Sequence, residues 1–313
     1  MKASLVAALK LGIIMSLIPS IMPSFSLGQE ITDQDSDLKI SRPAYTKKRP
    51  KVLFDEAHFN VHTSGGRYKR FAELITNDGY QVIPNREKFQ EKTLKGHYIL
   101  VIVSALGANR DTNPQEAGNP AFTERECDAV RDWVRRGGNL LLVADHEPTG
   151  AAAQNLARRF GVDLRNGSAM ESSRANHLIG CPGCIFFTRT NGLLGEHPIT
   201  TGRDMSERVP GVMTGVGLSL KGPDGSTSIL KLADTVFDQL ASGEKIPATG
   251  RAQGVAFKFG RGRVVVIGEA AVISGQATGR PGTNIDRWGR HNPGVDARQF
   301  ALNILHWLSG LLN

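Results

Sequence analysis

Asp55, Glu56, His58, Asn60 and His62 stand within a single stretch, "VLFDEAHFNVHT" at residues 52–63. Carboxylates and imidazoles so close together can pass protons, polarise a ligand or hold a divalent cation. Other groups of this kind recur along the chain. Asp145, His146 and Glu147 are consecutive in "LLLVADHEPTG", Glu269 follows "VVVIG", and Ser104 and Asn109 follow the apolar run of "VIVSALGAN". Gln276 lies in "GEAAVISGQATG", and His291 and Asn292 precede the last helical pattern. The Asp55, Ser104, Asp145 and Glu269 sets each come directly after an apolar run. Such residues meet only if those runs are strands that end on the same edge of a sheet, so the order of elements decides whether they form a site.

That order is regular from Lys51 to the end of the first half. "KVLFDEA", "QVIP", "YILVIVSAL" and "NLLLVAD" read as strands, the third being uninterrupted, as in a parallel strand covered on both faces. Between them, "RYKRFAELITNDGY" reads as a helix with Phe71, Leu74 and Ile75 on one face and Gly79 as its stop. "FTERECDAVRDWVRRGG" opens with a capping box, Thr123 and Glu126, and closes at Gly137 and Gly138. "AAAQNLARRFG" is a further helix. Residues 166–247 are rich in Gly, Pro, Ser and Thr, with strand candidates at "CIFFTRT", "STSILKLAD" and "TVFD", and read as loops and edge strands. "GVAFKFGRGRVVVIGEAA" is a hairpin turning at Gly260-Arg261-Gly262, and "VDARQFALNILHWLSGLL" a last helix with Phe300, Ile304, Trp307 and Leu311 on one face. The predicted fold is therefore α/β: a flavodoxin-like three-layer sandwich with a mostly parallel sheet, a late β-hairpin and a C-terminal helix, in one domain over 50–313.

Ligands in open α/β sheets bind outside the carboxyl ends of the strands, at the switch point. This assigns Asp145, His146 and Glu269 as catalytic candidates. Asp55, His58, Asn60, His62, Ser104, Glu147 and Gln276 become ligand-binding candidates. Asp55, His58, His62 and His146 have the donor types for a divalent metal, zinc or manganese. The competing expectation is that a strand-end Asp caps the next helix and a loop His is solvated. Thr63, Ser64, Gly65 and Gly66 precede a helix, where free N–H groups hold a phosphate or carboxylate, or simply make an N-cap turn. His97, His177 and His197 fall in loops without partners, and His306 beside the apolar face of the last helix reads as structural.

Composition narrows the class. With 40% hydrophobic and 22% charged residues, the 313-residue chain can bury a core without staples. Residues 1–28, with Lys2, an apolar centre around Leu11 to Ile18 and small residues near Ser24 to Gly28, have the layout of a signal peptide. The apolar run is short for an uncleaved anchor. An exported protein, periplasmic or secreted and without a membrane span after cleavage, is expected. Residues 29–49 are polar and unpatterned and read as a flexible leader. Removing Lys2 and Lys10 lowers 38 basic residues to 36 against 30 acidic ones, a net +6, and the charges are interspersed, which speaks against a nucleic-acid partner. A small molecule or carbohydrate is the expected ligand. Cys181 and Cys184 form "CPGC", which admits a disulfide, a redox pair or half a metal site; export favours the disulfide, leaving Cys127 as a buried thiol.

"VRDWVRRGGNLLLVADHEPTG" resembles the central helix–strand–turn of class I glutamine amidotransferase-like domains, including the trehalose-utilisation-type branch. The element order of 51–146 and the hairpin "FKFGRGRVVVIGEAA" extend the likeness over most of 50–310, the middle matching poorly. It resembles in particular exported bacterial domains of unknown function. True amidotransferases carry a nucleophilic Cys after the strand that here is "NLLLVAD"; this chain has Asp145-His146-Glu147, and Cys127 lies one helix earlier. The resemblance therefore implies the fold without the amidase, and no GxSxG points to a serine hydrolase. Two readings stay open: a metal-assisted hydrolase or lyase acting on carbohydrate or cell-envelope material, and a non-catalytic module that binds a ligand or partner.

Overall fold

A computed structural model describes residues 30–32, 37–47, 49–178, 181–278, 286–287 and 294–313, with the backbone alone at 30–32, 178, 181–182, 276–278 and 286–287. The expected signal peptide, and His291 and Asn292, lie outside the described residues.

The alternation read from the sequence is the alternation found: β1 (Lys51–Asp55), α1 (Lys69–Asn77), β2 (Gln81–Asn85), β3 (Ile99–Val103), α2 (Glu124–Arg135), β4 (Asn139–Val143) and α3 (Thr149–Arg158). Short strands β5 (Asp163–Leu164), β6 (Leu220–Lys221) and β7 (Thr227–Lys231) precede the hairpin β8 (Ala252–Phe259) and β9 (Gly262–Ile267), and α4 (Ala297–Leu308) follows it. These nine strands form one sheet in the order β2-β1-β3-β4-β9-β8-β6-β5, with β7 paired to β8. The five strands from β2 to β9 are parallel, and β8 and the strands beyond it antiparallel. Gly260 makes the hairpin turn with φ +60°, a conformation that costs glycine nothing.

The strand residues alternate between two cores. Val52, Phe54, Val101, Val103, Leu141, Val143, Val265 and Ile267 pack with Phe71, Leu74 and Ile75 of α1 and Phe300, Ile304 and Leu308 of α4. Leu53, Leu100, Ile102, Leu140, Leu142, Val264 and Val266 pack with Cys127, Val130 and Val134 of α2 and Ala153 and Leu156 of α3. Each large side chain so buried contributes about 1.5–3 kcal/mol, and a sheet covered on both faces needs the uninterrupted apolar runs the sequence shows. The result is a flavodoxin-like three-layer sandwich.

Two segments differ in detail from the sequence reading. Residues 37–47, read as leader, lie against the domain. Leu38, Ile40 and Tyr45 pack on the core, Tyr45 N donates to Asp78 O at 3.1 Å, and Arg42 pairs with Asp204 at 2.8 Å and Glu207 at 2.9 Å. A Cβ at Gly79 would stand 1.9 Å from the Tyr45 carbonyl oxygen, so the helix stop is also the leader's landing point. Residues 166–247 hold two small sheets besides β6 and β7. One pairs Gly211–Thr214 with Cys181–Thr188 and His177–Leu178. The other pairs Lys245–Pro247 with Val236–Gln239 and Ser168–Glu171. No helix among the described residues is long and apolar enough to cross a membrane.

Candidate functional site

Sheet growth reverses at β1, which has β2 on one side and β3 on the other. The loops that leave β1 and β3 therefore flank a switch-point crevice. Phe59, Asn60, Val61, Arg67, Asn109, Arg110 and Asp111 line a cavity of about 350 Å³ there. The two loops brace each other: Val61 N donates to Ser104 O at 3.1 Å, Leu106 N to His58 O at 2.8 Å, and Asn60 Nδ2 to Val103 O at 3.1 Å. Phe59 and Ser104, each with φ +46°, are the non-glycine residues in the left-handed region among the described residues, one on each loop. Backbone held there costs of order 1–3 kcal/mol per residue and persists only where its surroundings enforce it. Ser104 Oγ is buried with no hydrogen-bond partner, and Phe59 is 54% exposed.

The loop after β1 is anchored by an internal relay. His58 is fully buried, its Nδ1 2.9 Å from both oxygens of Asp55 and its Nε2 2.9 Å from Glu126 Oε1. Phe89 and Phe122, stacked on each other, pack against the ring with centroids 4.8 and 4.6 Å away. Both ring nitrogens are thus engaged by carboxylates. Asp55 also accepts from Asn60 Nδ2 at 3.1 Å and Ala57 N at 3.3 Å. Glu126 divides its work. Oε2 closes the capping box with Thr123 N and Oγ1, while Oε1 takes Phe89 N at 3.0 Å and His58. Burial pushes its pKa up, but the hydrogen bonds from Thr123, His58 and Phe89 outweigh this and hold it below the usual carboxylate range.

A second cluster joins β4 to the turn after β9. Asp145 Oδ1 accepts from His146 N at 2.7 Å and Oδ2 from Ala270 N at 3.1 Å. Glu269 accepts from Ala271 N and Val272 N, both at 2.8 Å. Burial, reinforced by the Asp145 charge and opposed by backbone N–H groups, pushes Glu269 up to about 8. Buried Tyr68 donates to Ala270 O at 2.6 Å, and burial and the Glu269 and Asp145 carboxylates push its pKa well up. His62 lies edge-on to Tyr68 with centroids 5.2 Å apart and is 5% exposed, its Nδ1 unpartnered. Burial, then the charges of Arg67 and Arg110, push it down to about 3, so its ring is neutral at physiological pH.

The predicted residues thus divide. Asp55, His58 and Asn60 meet in one cluster and Asp145 and Glu269 in another, with Ser104 and His62 between the loops that carry them. His146 is half exposed, its Nε2 4.0 Å from Asp145 Oδ1, and Glu147 is exposed. Gln276 is described by its backbone alone. Metal ligation fits poorly: both His58 nitrogens face carboxylates, both Glu269 oxygens accept backbone N–H, and no group of three or more His, Cys, Asp or Glu among the described residues is set to hold a metal ion. The turn at Thr63–Gly66 does bind a carboxylate, but it is the chain's own: Glu56 Oε1 accepts from Ser64 N at 3.0 Å and Ser64 Oγ at 2.7 Å. His306 pairs with Asp78 at 2.7 Å in the core. Cys184 is disulfide-bonded, and the thiol of Cys127 is free, buried and pushed up to about 12 by burial.

Glu126, Tyr68, Arg67, Arg110 and Phe59 were not legible as site residues. Glu126 showed itself only as half of a capping box. Arg110 and Phe59 carry no pattern, since loop arginines and single exposed aromatics are common.

No family model matches the chain, and no curated protein matches it. Solved structures do. The N-terminal domain of mmIFT52 superposes with a TM-score of 0.56 at 13% identity, covering 82% of this chain and 97% of that one. A ThuA-like protein from Parabacteroides merdae, whose fold is glutamine amidotransferase-like, gives 0.41 at 12%, covering 84% and 90%. An exo-β-1,4-mannosidase from Opitutaceae bacterium strain TAV5 gives 0.36 at 12%, covering 73% of this chain and 32% of that one. At these identities the likeness is one of fold, and the two scores below 0.5 carry no argument about activity.

Proposed function

We propose that the chain is an exported binding module whose switch-point crevice takes a small polar ligand. The observation that carries this reading is the placement of Phe59 and Ser104. The two non-glycine residues in left-handed backbone among those described stand one on each of the two loops that flank the crevice, where a scaffold for packing alone has no need of strain. Support also comes from what the ionisable groups are doing. His58 is closed between Asp55 and Glu126 and braces the loop after β1, and Glu269 is closed against the backbone N–H groups of its own turn, so the groups best suited to proton transfer are engaged in holding the chain. The layout of residues 1–28 supports export.

A hydrolase or lyase acting on carbohydrate or cell-envelope material is the second reading. In its favour stands His146, half exposed beside Asp145. A His146→Ala variant that loses turnover of such material would establish it.

The binding reading is tested by thermal shift against a panel of monosaccharides, amino acids, dicarboxylates and phosphates. The panel is run on the wild type and on Asp111→Trp, which fills the crevice from an exposed position. At 100-fold excess over Kd a ligand adds about 2.7 kcal/mol, a rise of several degrees for a chain of this size. At least one compound should raise Tm in the wild type and not in the variant. A panel without effect, or shifts that survive Asp111→Trp, overturns the reading.

A further inference from the structure

Resting on the crevice as the binding site, we infer that its ligand carries an oxyanion, a carboxylate or a phosphate, held by the guanidinium of Arg110 with Arg67 beside it. Three features of the geometry converge on this. First, the cavity of about 350 Å³ is the size of a small metabolite, and of its lining residues two are arginines and one, Asp111, is acidic. Arg110 is exposed and has no ion pair among the described residues, whereas Arg67 has a further partner in the molecule. A guanidinium without a carboxylate, on the rim of a cavity, presents a planar fork of N–H donors that matches an oxyanion.

Second, both arginines act on one buried imidazole. His62 is buried with its Nδ1 unpartnered, and the two arginines act on it together, which places both guanidinium charges near one point. Cations gathered around a neutral ring, with one exposed carboxylate nearby, leave a positive potential in the crevice. Third, the remaining lining suits the rest of such a ligand. Phe59 stands 54% exposed in enforced left-handed backbone, offering a ring face, while the amide of Asn60, engaged by Asp55, Val103 O and His58 N, fixes the loop that carries it. A neutral carbohydrate hydroxyl would accept from Arg110 more weakly than an ionised oxyanion does.

Isothermal titration of the full mature chain with malonate and, separately, inorganic phosphate tests the inference, with glucose as the neutral control. Malonate, phosphate or both should bind the wild type, and the stronger of the two identifies the source of the oxyanion. Arg110→Gln should weaken that binding by about tenfold or more, the loss expected for one charge-assisted hydrogen bond, and Arg110→Glu should abolish it, while both variants keep the wild-type Tm without ligand. Anion binding equal in wild type and Arg110→Gln would mean adventitious surface association and would overturn the inference. Binding of glucose that is lost in Asp111→Trp but unchanged in Arg110→Gln would also overturn it, while leaving the crevice itself as the binding site.

Discussion

His58 shows how one residue type can promise chemistry and deliver architecture. Its two nitrogens face carboxylates 2.9 Å away, one three residues off and the other sixty-eight. Removing Glu126 leaves the buried His58 Nε2 and Phe89 N without their acceptor and opens the capping box as well, so Glu126→Ala should cost about 3 kcal/mol or more, against ~1 kcal/mol for Thr123→Ala, which loses only the cap. Urea denaturation of the two variants measures the difference; equal costs would show that the relay contributes nothing. Glu269 makes a pH prediction. Its folded pKa lies above the ordinary 4.5, at about 8. Between those values the unfolded chain has released the proton and the folded chain has kept it, so stability falls as pH rises from about 4.5 to about 8 and levels beyond. Glu269→Gln should flatten that slope, and an unchanged slope would assign it to other groups. The cysteines give a count: unfolded, unreduced protein should show one reactive thiol, Cys127, which stays unreactive in the native state. Three thiols would contradict the bridge at Cys184. Asp55 and His58 were legible as a pair because they are local. Their partner Glu126 was not, because a contact across sixty-eight residues leaves no spacing to read. Ser104 was legible only as a polar residue after a strand, since nothing in a serine announces φ +46°.

At the level of elements, periodicity carried most of the fold. The apolar runs of β3 and β4 bury every side chain on one core or the other, and Phe71, Leu74 and Ile75 of α1 face the sheet as their spacing requires. Leu141→Ala, at the centre of the parallel strands, should cost about 2–5 kcal/mol by the cavity it leaves, and a smaller loss in thermal denaturation would mean that the sheet repacks. Residues 166–247 were harder because their partners are distant. Gly211–Thr214 pairs with Ile185–Thr188, and Val236–Gln239 with Ser168–Glu171, so short strands without strong alternation are completed by non-local neighbours. The leader misled for a related reason: Leu38, Ile40 and Tyr45 are few and irregularly spaced, yet each finds the core.

For the molecule as a whole, the parallel register brings the ends of β1, β3, β4 and β9 to one edge, and the reversal of sheet order at β1 opens a crevice there rather than elsewhere. Export belongs to this scale as well. Mature protein should begin between about Ser26 and Glu30, and N-terminal sequencing of secreted or periplasmic material that finds Met1 retained would contradict it. The switch-point crevice is tested most directly by a crystal structure of the complex with whichever panel compound raises Tm most. Binding at the switch point predicts that compound between Asn60 and Arg110, against Phe59, with the loops after β1 and β3 still braced by Val61 and Ser104. A compound seated elsewhere on the molecule, with the crevice left open, would contradict it.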